Sequence, residues 1–388
     1  MRMLKKYCLP WPLLVAVLCV MPLCAQNLGL DAAMQATQLR YRCPGIAAAT
    51  FSSLNTTSRG LGVADVQAGT RVSPTTVFRL ASVSKPITAV AVLQLAERGK
   101  LDLEAPVQRY LPAFTPRSGG GTNQLNSFLD ALSKGRFDPN MFAQGKGTTT
   151  AGRPLTMTTR QLLSHLGGMP HYAELPSAYA VRYRSMSEAL ELLKNAPLVA
   201  EPGTRYHYSS YGYTVLGCLV ESVSGMSFED YLKQNIFAPA RMTRSGVFDP
   251  SRPMENFARG YQLGPAGYQL SEPTNTLYKA AGGGLVSSAD DLARFAQALM
   301  NGTLLKSSTL NLMWTSQRQR DGMLTGYGLG FGVRTSSGVL EVSHSGEQEG
   351  VSTYLFLQPV RRLAVVALAN LREVDLRSLT RDTAASMF

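Results

Sequence analysis

Two rhythms of apolar residues divide this chain of 388 residues into strand-like ends and a helical middle. Residues 31–40 have the spacing of a short amphipathic helix. GIAAATFSSL (45–54) and SRGLGVADV (58–66) read as two strands joined by the polar turn Asn55-Thr56-Thr57. SKPITAVAVLQLAERG (84–99) predicts a long helix, apolar on most sides and closed by Gly99. Residues 113–153 break the rhythm: SGGG and GKGTTTAGR flank one helical stretch near 124–133, which predicts a surface insertion. Helical spacing resumes over 159–166, stopped by Gly167-Gly168, and again after Ser185, where Ser185 and Glu188 are spaced as a capping box. Further helices are predicted over 211–224, 227–236 and 288–300, the last capped by Ser288. YGLGFGVRT (327–335), GVLEVSH (338–344), VSTYLFLQ (351–358) and RLAVVALAN (362–370) return to strands, and 374–387 closes as a helix. The economical arrangement is an α+β fold, an α/β sandwich. One antiparallel sheet comes from both chain ends (about 40–80 and 327–388), flanked by helices, with a helical subdomain (about 84–300) inserted between.

Composition adds a globular core and, at the start, a segment outside the fold. Hydrophobic residues make up 45% and charged residues 16%. In residues 1–25, Arg2, Lys5 and Lys6 precede a short apolar run from Leu13 to Met21, and Leu23-Cys24-Ala25 before Gln26 resembles a signal-peptidase site. An uncleaved anchor is the rival reading, but the run is short for a span and Pro10, Pro12 and Pro22 interrupt it. The expectation is a cleaved leader (1–25), a mature domain (26–388) and a periplasmic or secreted location, with the membrane met only during export. Cleavage would remove Cys8, Cys19 and Cys24 and leave Cys43 and Cys218, whose pairing the spacing does not decide. The formal charge of +12 falls to +9 without the three leader cations. The remaining positive charges are scattered with no basic run among aromatics, so nucleic acid is not an expected partner.

Three groups of residues could carry chemistry. Ser82 and Lys85 are three apart, on one face of a helix start, where a lysine of lowered pKa can take a proton from a serine hydroxyl. This is the single Ser-x-x-Lys in the chain, and Ser84 has only Ile87 at that spacing. Taken alone, Ser82 could equally be a helix cap. Pro86 disfavours helical geometry at Lys85, a local rule bent next to a candidate site. Tyr208, in PGTRYHYSSYGYTVLG (202–217), could act as a general base if positive charge lowers its pKa, or be one of several core aromatics. His344-Ser345-Gly346, in VSHSGEQEG (342–350), appears at a strand end, with Gly346 permitting close backbone approach or simply making a hairpin turn.

Together the three groups follow a known order. With FRLASVSKPITA (78–89), LTMTTRQLLSHLGGMPHY (155–172) and AAGGGLVSSADDLARFAQAL (280–299), the chain resembles the serine β-lactamase and penicillin-binding protein superfamily, in its class C-like branch of esterases and peptidases. GKLDLEAPVQRYLP (99–112) and LLSHLGGMPHY resemble most the mitochondrial serine β-lactamase-like proteins and their bacterial relatives. The resemblance implies a covalent acyl-enzyme on Ser82, with Lys85 as its partner, Tyr208 as the general base of acylation, and no cofactor or metal. It implies an oxyanion hole from the backbone N–H groups of Ser82 and Glu347. Ser210, His344, Ser345, Gly346, His171 and Tyr172 would line the substrate site, and His165 would be a structural hydrogen-bonding residue.

Departures from the family pattern shape the expected substrate. Tyr208-Ser209-Ser210 replaces Tyr-x-Asn, and Ser210 cannot reproduce the amide. His344 stands where β-lactamases carry lysine and gives a weaker hold on a carboxylate. Glu347 and Glu349, where small residues are usual, would repel anionic substrates if they faced the cleft. The expectation is a peptidase or esterase acting on a small-molecule or peptide substrate, cell-wall peptides included. The alternatives are weak β-lactamase or D-Ala–D-Ala carboxypeptidase activity, or a non-catalytic penicillin-binding or interaction protein. The four histidines are scattered, without His-Glu-x-x-His, and Gly-x-Ser-x-Gly is absent. No oligomeric state follows from the sequence.

Overall fold

The computed structural model describes residues 29–53, 55–118, 154–171, 185–191, 193–194, 197–271 and 277–387. The expected leader, the helix near 124–133 and Tyr172 lie outside these residues. Seven strands build the main sheet: β1 (Gly45–Phe51), β2 (Thr56–Asp65), β3 (Thr70–Arg71), β4 (Gly332–Ser336), β5 (Val339–Gln348), β6 (Val351–Gln358) and β7 (Leu363–Ala369). Their order is β4-β5-β6-β7-β1-β2-β3, all antiparallel. The two chain ends meet at the β7–β1 pair, where Ile46 stands opposite Ala369 and Phe51 opposite Ala364. The longer helices are α1 (29–41), α2 (Ser84–Glu97), α3 (Ser210–Ser224), α4 (Ala289–Met300) and α5 (Leu376–Ala385).

The central strands read GIAAATF and LAVVALA, apolar without alternation, because both sheet faces are covered. Ile46, Ala48, Phe356, Val365 and Ala367 face α1 and α5 through Leu30, Met34, Leu376 and Leu379. Ala47, Ala49, Leu355, Val366 and Leu368 face the larger core, which includes α2, α3 and α4. Every residue of α2 from Ser84 to Leu95 is buried, so this helix is an internal post rather than an amphipathic surface element. Side-chain caps start the others: Ser209 accepts from Gly212 N–H, Ser288 from Asp291 N–H and Asp375 from Ser378 N–H.

Several boundaries differ from the expected ones. The predicted strand 327–335 begins only at Gly332. Tyr327–Phe331 is a loop, turned by Gly330 at φ 92° and pressed so close to α2 that a Cβ at Gly330 would stand 2.5 Å from Ala89 Cβ. The helix expected over 159–166 ends at Leu163, because His165 adopts left-handed backbone two residues later. His344-Ser345-Gly346 does not end a strand: β5 continues to Gln348, and the hairpin turns at Glu349-Gly350. Helix 227–236 divides into Phe228–Leu232 and a π-helical turn, Lys233–Phe237, and a short helix at Ser307–Met313 was not anticipated. Cys43 and Cys218 are both free and buried in separate cores on opposite faces of the sheet. Around the expected insertion, Arg117 bridges Pro154 across the two ends of residues 119–153.

Candidate active site

The short strand Phe78–Arg79 leads into a 3₁₀ turn, Ala81–Val83, and directly into α2. Ala81 sits at φ 46°, a left-handed conformation that costs a residue with a Cβ about 1–2 kcal/mol. Such strain persists where surrounding structure over-determines it. Here Leu80 N–H donates to the Leu285 carbonyl at 2.8 Å, and Thr353 Oγ1 donates to the Leu80 carbonyl at 2.7 Å. Strand β5 then passes directly over the turn at Gly346, where a Cβ would fall 2.5 Å from Leu80 O and 3.0 Å from Ser82 N. Only a glycine lets the strand run this close to the Ser82 turn.

The two serines separate cleanly. Neither Leu80 nor Val83, the N-cap positions of the turn and of α2, carries a side-chain cap, so Ser82 does not serve as a helix cap. Ser84 is fully buried, donates to the Ala81 carbonyl at 2.7 Å and accepts from Leu285 N–H at 3.1 Å. Ser82 is the partly exposed one. Lys85, with no exposed surface, reaches Ser82 Oγ at 3.0 Å, Ser210 Oγ at 2.9 Å and the Gly282 carbonyl at 2.6 Å. Its ammonium position lies 4.9 Å from the centre of the Tyr208 ring and 5.5 Å from that of Tyr213. Among the described residues no carboxylate pairs with it. Burial first, and the nearby charge of Lys279 second, push its pKa well below that of a free lysine. A neutral amine there donates to Gly282 and Ser210 and turns its lone pair toward the Ser82 hydroxyl.

Tyr208, on the segment leading into α3, stands close enough to Ser82 for the serine hydroxyl to act on its pKa. Burial raises its pKa above that of a free phenol, more than the Ser82 hydroxyl lowers it. Tyr208 therefore stands as a protonated phenol rather than a phenolate, beside an amine whose own pKa burial depresses. Ser210 is buried against Lys85 rather than turned to the cleft, and its N–H donates to His171 Nδ1 at 3.2 Å. His171 is exposed on one side, has its ring centre 5.4 Å from that of Tyr208, and is held near pKa 4 by burial and by the charges of Lys85 and His207. His165 is buried beneath Tyr208, with ring centres 4.3 Å apart.

On the opposite wall, β4 stops pairing at Ser343, so from His344 onward the outer edge of β5 faces the Ser82 turn. His344 is 5% exposed. Its Nδ1 contacts the Ser345 carbonyl at 2.7 Å and its Nε2 the Tyr327 hydroxyl at 2.9 Å. A carbonyl only accepts, so Nδ1 carries the proton and Tyr327 donates to Nε2. Burial, and next the charge of Lys85, lower its pKa to about 3, so the ring is neutral where a lysine would be cationic. Ser345 and Glu347 alternate outward and, with His344, Gly346, Tyr206, Tyr208 and Tyr327, line an open cavity of about 450 Å³ that extends to Asp375 and Arg377. Glu347 faces this cavity, but its carboxylate is paired with Arg372 at 3.3 Å, which offsets the repulsion of anions expected from it; Glu349 does not line the cavity.

The sequence motifs therefore converge: Ser82, Lys85, Tyr208, Ser210, His171, His344, Ser345, Gly346 and Glu347 meet at one cleft. Contributions not anticipated are the Gly282 carbonyl, Thr353 and Tyr327. The one signal for Tyr327 was an aromatic in a glycine-rich stretch that reads as a strand. An antiparallel sheet from both chain ends, a helical domain between, and a serine–lysine turn under the strand edge make the fold of the serine β-lactamases and penicillin-binding proteins. The β-lactamase family profile matches residues 30–386, and the chain belongs to that family. It is 30% identical over 313 residues to the mitochondrial serine beta-lactamase-like protein LACTB of Mus musculus, across 66% of this chain and 57% of that protein. The chain thus spans little more than half the length of that relative. Two solved structures share the fold. The octameric penicillin-binding protein homologue from Pyrococcus abyssi has TM-score 0.72 and 24% identity, over 92% of this chain and 76% of the other. EstCE1, a hydrolase with promiscuous acyltransferase activity, has TM-score 0.73 and 22% identity, over 94% and 99%.

Proposed function

We propose that this protein is an exported serine hydrolase that cleaves esters or peptides through an acyl-enzyme on Ser82. The observation that carries the reading is Lys85, a fully buried lysine with no carboxylate partner among the described residues, whose amine contacts Ser82 Oγ at 3.0 Å. A buried lysine is costly to keep unless its neutral form is used, and a neutral amine is a base for the serine hydroxyl. In acylation, Ser82 Oγ attacks the substrate carbonyl as its proton passes into the Lys85–Tyr208 pair. The oxyanion is met by the N–H groups of Ser82 and Glu347, which the close passage of β5 at Gly346 brings toward one another. Tyr208 returns the proton to the leaving group, and a water hydrolyses the ester in reverse order.

A neutral, internally satisfied His344 has no free nitrogen to hold a substrate carboxylate, which favours neutral esters and amides over β-lactams. EstCE1, a hydrolase with promiscuous acyltransferase activity that shares the fold, supports the same direction. Export rests on the leader pattern of residues 1–25 and is tested by the N-terminus of the mature protein, expected at Gln26. The activity is tested by intact mass after exposure to a fluorophosphonate and to a penicillin, alongside turnover of a small aryl ester. A single adduct absent from Ser82→Ala, with steady turnover, is expected. A stable adduct without turnover would make the protein a binder, and no adduct on the wild type would remove the nucleophile assignment.

A further inference from the structure

His165 occupies a place where the fold asks for a different residue. The helix Thr159–Leu163 ends with His165 N–H donating to the Leu162 carbonyl at 3.3 Å and Leu166 N–H to the Gln161 carbonyl at 2.7 Å. These two bonds form a Schellman closure, whose left-handed position is usually glycine, sometimes asparagine. Here it is histidine, at φ 60°. Glycine residues stand close by at 167 and 168, so the chain does not lack the residue type; it places a side chain at the position that least favours one.

That residue grips the loop carrying Tyr208 from both sides. Its carbonyl accepts from His207 N–H at 2.9 Å, and its Nδ1 accepts from Ser209 N–H at 3.1 Å. The flanking bonds continue the seam, with Gly203 N–H on the Leu166 carbonyl and Val199 N–H on the Gly168 carbonyl. Because Nδ1 accepts, the ring proton sits on Nε2, which has no hydrogen-bond partner among the described residues. It lies among the Tyr208, Tyr213 and Tyr327 rings, whose centres are 4.3, 5.3 and 4.7 Å from the imidazole centre. An orphaned buried donor in strained backbone is expensive to retain for packing alone.

We infer that His165 is the positioning residue of Tyr208: it brackets the tyrosine between two hydrogen bonds and supports its ring, so that the phenol stands at Ser82. This rests on the reading of Tyr208 as the proton carrier for a Ser82 acylation. The role shows in leaving-group dependence. A nitrophenolate departs without a proton, whereas an alkoxide needs one, and kcat/KM reports acylation alone, so with Lys85 still in place to take the Ser82 proton a displaced Tyr208 lowers kcat/KM more for alkyl than for nitrophenyl esters.

Two variants separate positioning from folding. His165→Gly suits the left-handed backbone but has no acceptor, and His165→Asn tolerates it while offering an amide oxygen near the place of Nδ1. Each is compared with wild type, Tyr208→Phe and Ser82→Ala on the 4-nitrophenyl and benzyl esters of one acyl group, with thermal unfolding alongside. His165→Gly is expected to remain folded and to lose about fivefold or more in kcat/KM on the benzyl ester beyond what it loses on the nitrophenyl ester, in the pattern of Tyr208→Phe. His165→Asn is expected to recover most of the benzyl ester rate. Equal losses on both esters, or no loss on either, in a folded His165→Gly would overturn the inference. Should that variant fail to fold, a His165→Asn as impaired on the benzyl ester as Tyr208→Phe would overturn it instead. If Ser82→Ala hydrolyses both esters like wild type, the catalytic reading itself fails. If Ser82→Ala is inactive while the His165 variants behave as wild type, only this inference fails.

Discussion

The sheet and the cleft beside it are built on opposite principles. In β1, β6 and β7 every side chain is buried, most are apolar, and both faces find a covering layer. In the cleft, Lys85, His165 and His344 are as deeply buried as any leucine, yet they carry nitrogen and lie among tyrosines. The backbone of β1, β6 and β7 is regular, whereas Ala81 and His165 hold left-handed conformations. One region stabilises the fold; the other gives up stability to bury amine, phenol and imidazole around Ser82.

That contrast can be broken by single substitutions. Ser82→Ala is expected to abolish ester turnover, by about a thousandfold or more, while leaving the unfolding midpoint nearly unchanged. A retained rate would dissolve the distinction at once. Phe356→Ala, on the sheet face away from the cleft, is expected to lower stability by about 3–5 kcal/mol with kcat unaltered, as read by urea unfolding and ester kinetics. Gly346→Ala tests where the two regions touch. Its methyl would press on Leu80 O and Ser82 N, so a loss of about a hundredfold in kcat is expected with only modest destabilisation.

Acid should act on the cleft and not on the sheet. His344 has a native pKa of about 3 against about 6.5 unfolded, so below 6.5 the unfolded chain binds a proton that the native site refuses. Stability therefore falls as pH drops from about 6.5 toward 3, by up to about 1.4 kcal/mol per pH unit from this group alone. Lys85, lowered in the native state, has the same sign at higher pH: stability rises as pH climbs toward the unfolded lysine value. Urea midpoints at pH 7 and pH 5 should show the acid loss, and His344→Leu should reduce it, leaving the part carried by His165 and His171. The smallest effect concerns the rim. Glu347 is half exposed and paired with Arg372, so Glu347→Gln should alter the ratio of kcat/KM for cationic and anionic aryl esters by less than about threefold.

Much of the fold was legible because its signals are local. Strand 351–358 lies where the pattern put it, and α2 and β7 differ by a residue or two. The misread stretches have particular causes. Tyr327, Leu329 and Phe331 alternate with glycines as a strand would, but Gly330 turns the chain so that it packs on α2. His165 ended its helix without the usual glycine. HSG looked like a strand end because serine and glycine are poor strand residues, yet pairing with Thr353 and Tyr354 carries β5 through them.

By itself the sequence determined the period of most elements, the apolar character of the sheet, and the pairing of Lys85 with Ser82 rather than Ser84, since lysine stands three residues from one and not the other. All of these depend on neighbours within a turn or a strand. Only the tertiary structure decided that Lys85 is buried with no countercharge among the described residues, that Tyr327 sets the proton on His344, that Thr353 and Gly346 hold the Ser82 turn, and that His165 grips the loop of Tyr208. Protonation and strain depend on what surrounds a group in space, and those surroundings come from residues tens to hundreds of positions away along the chain.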